Sequence, residues 1–104
     1  MSKVEKFILK EMVDYQEGSI VSRTIIDKKT GTTTLFAFDK EQSLSEHTTP
    51  YDATVYLIDG TGEFVIGGVS YQLKEGEIII MPANVPHAVK ATERFKMLLI
   101  MIRS

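Results

Sequence analysis

The stretch Gly76–His87, GEIIIMPANVPH, carries the strongest fold signal in the chain. The pair Glu75-Gly76 predicts a turn, because glycine accepts the positive φ values that tight turns need. Ile78–Met81 follows as a short apolar run of the kind that forms a strand. Pro82 ends that run, since proline cannot donate a ladder hydrogen bond. The pattern predicts a strand that opens into a proline-rich loop, with His87 at the end of the loop.

Similar short runs of β-branched and aromatic residues, separated by turn signals, occupy most of the chain on either side. This spacing is typical of an all-β sandwich or barrel. The predicted strands are Ser19–Asp27, Thr32–Asp39, Thr54–Ile58, Glu63–Ile66, Val69–Leu73, Ile78–Met81 and Phe95–Ile102. The pairs Asp59-Gly60 and Gly67-Gly68 predict tight turns between strands. We expect an antiparallel barrel of about eight or nine strands, close to the eight of a jelly roll.

The N-terminal segment Lys3–Tyr15 differs, because its apolar residues recur at helical spacing. These residues are Val4, Phe7, Ile8 and Met12. The segment predicts a short helix or arm. Since no linker or repeat interrupts the chain, we expect one domain over residues 1–104, with the barrel over about 19–102.

Composition excludes several function classes. The 104 residues include no cysteine, so the chain has no disulfide, thiolate nucleophile or cysteine-based metal site. Twelve basic residues against fourteen acidic ones leave no basic face for phosphates, and we expect no nucleic-acid partner. The apolar runs are shorter than the roughly 20 residues that span a bilayer, and the N-terminus lacks a signal-peptide pattern. We therefore expect a cytoplasmic protein with no membrane partner.

The chain has two histidines, and both stand near prolines at strand ends. His47 lies in the stretch Leu44–Pro50, and His87 closes the loop after Ile78–Met81. A rolled-up sheet can bring these two strand ends together. Histidine is the commonest metal ligand and the side chain most easily poised for proton transfer near neutral pH. From spacing alone, a half-buried histidine that caps a loop is the simpler interpretation of each.

Two stretches resemble the signatures of the cupin superfamily. Gly76–His87 matches the spacing of the second signature, in which a glycine, a proline, a second glycine and a histidine recur, with Asn84 in place of the second glycine. Asparagine tolerates the left-handed backbone that this position implies. Ser45–Gly60 resembles the first signature, with His47 as its first histidine. The resemblance covers about residues 35–101 and implies a small single-domain cupin, an RmlC-like all-β jelly-roll barrel.

The departures from this resemblance concern the metal ligands. Thr49 stands where the family has a second histidine, Ala53 where it has a glutamate, and Ala91 where an asparagine follows the second-signature histidine. In the family, four side chains hold divalent iron, manganese, nickel or zinc, and of these four positions only those of His47 and His87 match the pattern here. Because open catalytic metal sites usually keep three protein ligands, the resemblance implies at most a weakly held divalent metal.

The expected ligand pocket lies at the open end of the barrel. Its residues are His47, Thr49, Ala53, Val55 and His87. Alanine in place of glutamate makes the pocket larger and more apolar, which suits a largely apolar small molecule anchored by two imidazoles. Equally, Ala53 makes room for a neighbour such as Phe36 or Met97. Met81, Met97 and Met101 either line an adaptable pocket or fill the core.

The outer barrel surface is also apolar. Tyr56, Ile58, Leu98 and Ile100 leave a sizeable exposed patch unless another subunit covers it, so we expect a twofold homodimer.

Three functions stay open at this point. The first is a small-molecule-binding barrel whose histidines act on the ligand through hydrogen bonds or proton transfer, as a sensor, a carrier or an isomerase. The second is a metalloenzyme in which His47 and His87 hold a divalent metal. The third is a non-catalytic scaffold with two structural histidines. Because one fold hosts many reactions, the resemblance leaves open whether the protein is an enzyme.

Overall fold

Antiparallel strands make up most of the computed structural model, which describes residues 3–103. Eight strands lie within this range: β1 Ile20–Lys28, β2 Gly31–Phe38, β3 Ser43–His47, β4 Asp52–Ile66, β5 Val69–Lys74, β6 Ile78–Met81, β7 His87–Lys90 and β8 Phe95–Ile102. They curl into two sheets that share β4. One contains β1, β2, β8, β4 and β6, and the other contains β3, β7, β4 and β5. This architecture confirms the all-β jelly-roll barrel.

Strand β4 joins the two sheets and corrects one prediction from the sequence. Its first half pairs with β6 and β8, and its second half pairs with β5 and β7. The pair Asp59-Gly60 is therefore a bend inside one continuous strand and not a tight turn. A bulge between Leu57 and Asp59 and a φ of 79° at Gly60 produce the bend. A Cβ at Gly60 would collide with the carbonyl oxygen of Arg94, so only glycine fits this position.

The other turn signals are confirmed. Gly67 and Gly68 have φ values of 57° and 81° and join β4 to β5, as expected for a hairpin turn with two left-handed residues. Asn84 has a φ of 65°, which is the left-handed conformation that its place in the glycine pattern predicts.

Successive side chains of a strand point to opposite sides of the sheet, and here both the inner and the outer side carry apolar clusters. On β2, Phe36 and Phe38 point into the barrel, while Leu35 and Ala37 pack on the outside. The largest fully buried side chains of the inner core are Phe38, Phe64, Phe95, Leu57 and Val55. Three of the five are phenylalanines.

The N-terminal arm covers the centre of the outer face. Met12 and Val13 are buried against Leu35, Ala37 and Ile58. Leu9, Tyr15, Tyr56 and Leu98 pack around this cluster. The face that the sequence assigned to a second subunit is thus covered at Ile58 by the chain's own arm.

The arm is mostly irregular, and its regular part is a 3-10 helix over Leu9–Glu11. Val4, Phe7 and Ile8 are exposed, at 96%, 45% and 65% of their full surface. Without burial of a continuous apolar face, a helix this short is not stable on its own, so helical spacing alone did not produce one.

Polar contacts fasten the arm to the barrel. The Tyr15 hydroxyl donates a hydrogen bond of 2.8 Å to Asp59 Oδ2, and burial together with this carboxylate raises the pKa of Tyr15. Lys96 Nζ donates a 2.6 Å hydrogen bond to the carbonyl oxygen of Lys10 and lies 5.0 Å from the centre of the Tyr15 ring.

Beyond the arm, several isoleucines of the β1–β2–β8–β4–β6 sheet are exposed, at 37% to 60% of their full surface. They are Ile26, Ile78, Ile80, Ile100 and Ile102. Within the described part of the chain, no helix is long and apolar enough to cross a membrane. The organisation as one domain over 1–104 stays a prediction.

Candidate functional site

Strands β3 and β7 bring the two histidines together. His47 pairs directly with His87 in their antiparallel register. The ring centroids are 4.3 Å apart, with the rings edge to face at 67°. His87 is buried, at 5% exposure, whereas His47 is exposed. The pair therefore reaches from the barrel interior to its mouth.

Hydrogen bonds between the loops on either side hold this end of the barrel in place. The Asn84 backbone N–H, in its left-handed turn, donates a 2.7 Å hydrogen bond to the carbonyl oxygen of Thr49. Asp52 Oδ1 accepts a 2.9 Å hydrogen bond from the backbone N–H of Ala83. The loop after His47 and the start of β4 are thus each tied to the loop before His87.

Both imidazoles use the same nitrogen for local structure. The Nδ1 atom of His47 lies 2.8 Å from the carbonyl oxygen of Ser45, and that of His87 lies 3.2 Å from the carbonyl oxygen of Val85. Since a carbonyl oxygen can only accept, Nδ1 carries the proton in each ring. In the neutral rings, Nε2 therefore keeps its lone pair for a ligand.

Thr49, like the two neutral imidazoles, keeps a hydrogen-bond acceptor for a ligand. Its hydroxyl donates a 3.1 Å hydrogen bond to the carbonyl oxygen of Tyr51, which leaves the lone pairs of Oγ1 as acceptors. The three polar side chains of the site therefore all present acceptors when the imidazoles are neutral. Such a site favours hydrogen-bond donors or a cation.

A cavity of about 60 Å³ lies beside these three side chains. It is lined by Phe36, Leu44, His47, Thr49, Ala53, Met81, His87, Val89, Met97, Leu99 and Met101. Ligand pockets for drug-sized molecules are usually about 300–1,000 Å³. This cavity holds a much smaller group, or the inner part of a ligand that extends out past His47.

Four of the five residues expected at the pocket line the cavity. His47, Thr49, Ala53 and His87 are on its wall. Val55 faces the interior as expected but is fully buried in the core, outside the residues that line the cavity. Leu44 and Val89 were not predicted at the site, because β3 and β7 are short strands without hairpin signals.

Ala53 lies at the centre of a row of inward-facing residues. It pairs with Met81 on β6 and with Met101 on β8, so two methionines flank one methyl group. With a short side chain in the middle, the row leaves space in front of the histidines. The structure thus supports both sequence interpretations of the methionines, since Met81 and Met97 are buried and also line the cavity.

Comparison with known families decides the classification. The model of the Cupin domain family matches residues 34–103, which include the whole cavity wall. The chain belongs to the cupin family. This confirms the resemblance seen in Ser45–Gly60 and Gly76–His87.

Solved structures of other cupins superpose on this one. A conserved protein of unknown function from Streptococcus pyogenes is 33% identical, with a TM-score of 0.92 over 100% of this chain and 91% of that one. A cupin 2 conserved barrel domain protein from Leptotrichia buccalis is 45% identical, with a TM-score of 0.90 over 93% of this chain. This cupin matches 47% of that protein, or about half its length.

More distant structures show the shared fold. A cupin superfamily protein from Desulfitobacterium hafniense is 21% identical, with a TM-score of 0.91 over 100% of this chain and 95% of that one. The search of curated proteins gives no match.

The divalent metal that many cupins hold does not fit the residues of this one. Among residues 3–103, no three His, Cys, Asp or Glu side chains lie close enough together to hold a metal ion. The described cavity wall supplies two imidazoles and one hydroxyl but no carboxylate. Neutral ligands leave the charge of a divalent ion uncompensated in an apolar cavity, which is unfavourable.

Proposed function

We propose that this cupin binds a small molecule at the open end of its barrel, with the Nε2 atoms of His47 and His87 in contact with the ligand. The observation that carries this proposal is that both rings use Nδ1 for local structure and leave Nε2 for a ligand. Each is held by an Nδ1 hydrogen bond to a backbone carbonyl, and both line one cavity.

The cavity also indicates which class of ligand fits. Acceptors at His47, His87 and Thr49 favour a molecule with hydroxyl or amine donors, and an otherwise apolar wall favours an apolar body. A volume of about 60 Å³ limits the enclosed part to a few non-hydrogen atoms. The ligand class is therefore small alcohols, phenols or amines.

A thermal-shift screen of such compounds tests the proposal. A ligand at 100 times its Kd stabilises the fold by about 2.7 kcal/mol, and His47→Ala is expected to remove the shift because one of the two Nε2 contacts is lost. Glu46→Ala is the matched control, since Glu46 is an exposed neighbour on the same strand and is not on the cavity wall. A shift of equal size in His47→Ala would contradict the proposal. No shift across the panel would favour the scaffold role.

The homodimer expected from the sequence is also a proposal. The exposed isoleucines of the β1–β2–β8–β4–β6 sheet support it, because large exposed apolar patches are uncommon on monomers. Sedimentation equilibrium is expected to give twice the chain mass of 11.7 kDa, and a monomer at micromolar concentration would contradict it. A cytoplasmic location stays a prediction that cell fractionation would test.

A further inference from the structure

The cavity wall contains three methionines and no carboxylate. Met81, Met97 and Met101 all line it, together with His47 and His87. Thioether sulfur and imidazole nitrogen are neutral, polarizable donors, and thioethers select soft ions such as Cu(I) over hard divalent ions. The donor set that does not fit iron or manganese therefore fits a different class of metal.

The pairing of the strands places two of the sulfurs beside the same gap. Ala53 is the register partner of Met81 on one side and of Met101 on the other. Neighbouring strands are about 4.8 Å apart, so the two methionine backbones are about 10 Å apart across Ala53. Methionine has three rotatable side-chain bonds and can adjust to a shared ligand in the space between.

The histidines are already in the form that a metal requires. Their Nδ1 atoms donate to the carbonyl oxygens of Ser45 and Val85, which fixes the ring orientations and leaves Nε2 unprotonated in the neutral rings. Metal-bound histidines commonly make such a hydrogen bond from the other ring nitrogen. Both rings line the cavity that the methionines line.

Charge and size point to a single monovalent ion. The cost of placing an ion in a poorly polar medium rises with the square of its charge, so a monovalent ion among neutral donors pays about a quarter of the desolvation cost of a divalent one. At about 60 Å³, against roughly 30 Å³ for a water molecule in the liquid, the cavity has room for one ion and not for a cluster of ions.

We propose that the cavity binds one soft monovalent metal ion, Cu(I) or its analogue Ag(I), through the Nε2 atoms of His47 and His87 and the thioether sulfurs of Met81 and Met101. The inference goes beyond the proposed function, because it requires the methionines, which a hydrogen-bonding organic ligand does not.

Anaerobic titration with Cu(I) against a chromophoric chelator, and with Ag(I) as a redox-stable probe, tests this site without any organic ligand. The wild type is expected to bind one ion, and the double variant Met81→Leu/Met101→Leu to bind it at least about tenfold more weakly, a loss that even outer-shell changes cause. Methionine-to-leucine exchange conserves volume and costs less than about 1.5 kcal/mol, so the variant is expected to fold.

The chain offers a matched control. Met12→Leu replaces a buried methionine under the N-terminal arm, outside the cavity, and is expected to leave Cu(I) affinity unchanged. X-ray absorption of the Cu(I) form is expected to show sulfur scatterers that the double variant loses. Equal Cu(I) affinity in wild type and double variant, or tighter binding of Zn(II) than of Cu(I) by the wild type, would overturn the proposal. Neither result bears on whether His47 contacts an organic ligand.

Discussion

The two ends of the barrel are built from the same strands but are packed in opposite ways. At the filled end, the rings of Phe38 and Phe95 stack with centroids 4.6 Å apart, and Phe64 lies 5.9 Å from Phe95. At the open end, the row through Ala53 and Met101 borders a cavity. Large rigid rings close one end, and a methyl group between flexible side chains leaves the other open.

This difference shows that stability and binding are separated along the strands. On β8, Phe95 begins the strand in the filled end and Met101 lies near its other terminus beside the cavity. On β4, Ala53 borders the cavity, whereas Gly60, at the bend, pairs with Phe95 at the filled end. A single strand therefore contributes core packing at one end and a binding wall at the other.

The largest expected effect is at the filled end. Phe95→Ala removes a fully buried ring that contacts two others and is expected to lower the free energy of unfolding by about 3–5 kcal/mol. Denaturant unfolding of the variant measures this loss. Met101→Ala is the comparison at the open end, where a smaller loss is expected because its side chain borders an existing cavity. Equal losses would show that the two ends are packed alike.

A smaller effect on stability, but a larger one on binding, is expected from Ala53→Val. The added methyl groups enter the cavity between Met81 and Met101, so binding of Ag(I) and of organic ligands is expected to be lost. Overpacking costs at most about 1–3 kcal/mol. Ala37→Val is the control, because Ala37 is fully buried on the outer face, away from the cavity. Ligand binding that survives in Ala53→Val would place the site elsewhere.

The smallest effect concerns a carboxylate beside the filled end. Hydrogen bonds from the Gly18 backbone N–H and from Arg94 Nε, each 2.6 Å long, hold the pKa of Asp39 below its usual value. Asp39 therefore stabilises the fold above about pH 3.9, the ordinary value in an unfolded chain, and the stabilisation is lost as the pH falls through the lower folded value. Asp39→Asn is expected to be less stable at pH 7.

Unfolding of wild type and Asp39→Asn between pH 7 and pH 2 measures this dependence. The difference between the two is expected to shrink below about pH 4, because the wild-type carboxylate becomes protonated. Glu93→Gln is the control, since Glu93 is exposed and its pair with Lys40 is 4.0 Å long, and such pairs contribute about 0–1 kcal/mol. If the difference in the free energy of unfolding stays constant with pH, the charge of Asp39 does not contribute to stability.

Local features of the sequence predicted much of the fold and part of the site. The bounds of Ile78–Met81 and Phe95–Ile102 agree with the structure, and Asn84 has the left-handed backbone that its position requires. The inward position of Ala53, Val55 and Leu57 also follows from the two-residue period of a strand. These predictions succeeded because each depends only on residues close together in the chain.

The predictions that were wrong concern features that depend on tertiary contacts. Asp59-Gly60 is a typical turn pair, yet it bends one long strand because β4 has partners in both sheets. The helical spacing around Phe7 and Ile8 did not form a helix, because the arm packs through Met12 and Val13 instead. Local propensity was overridden in both cases by tertiary contacts.

By itself, the sequence determined the cupin family, most of the strands other than β3 and β7, and which side chains of those strands face inward, since alternation and turn residues act over a few positions. Only the tertiary structure decided that His47 faces His87, that Met81 and Met101 flank Ala53, and that the arm covers Ile58. Those outcomes depend on the register between strands that are far apart in the chain, such as β3 with β7 and β4 with β8. No local sequence pattern encodes such a register.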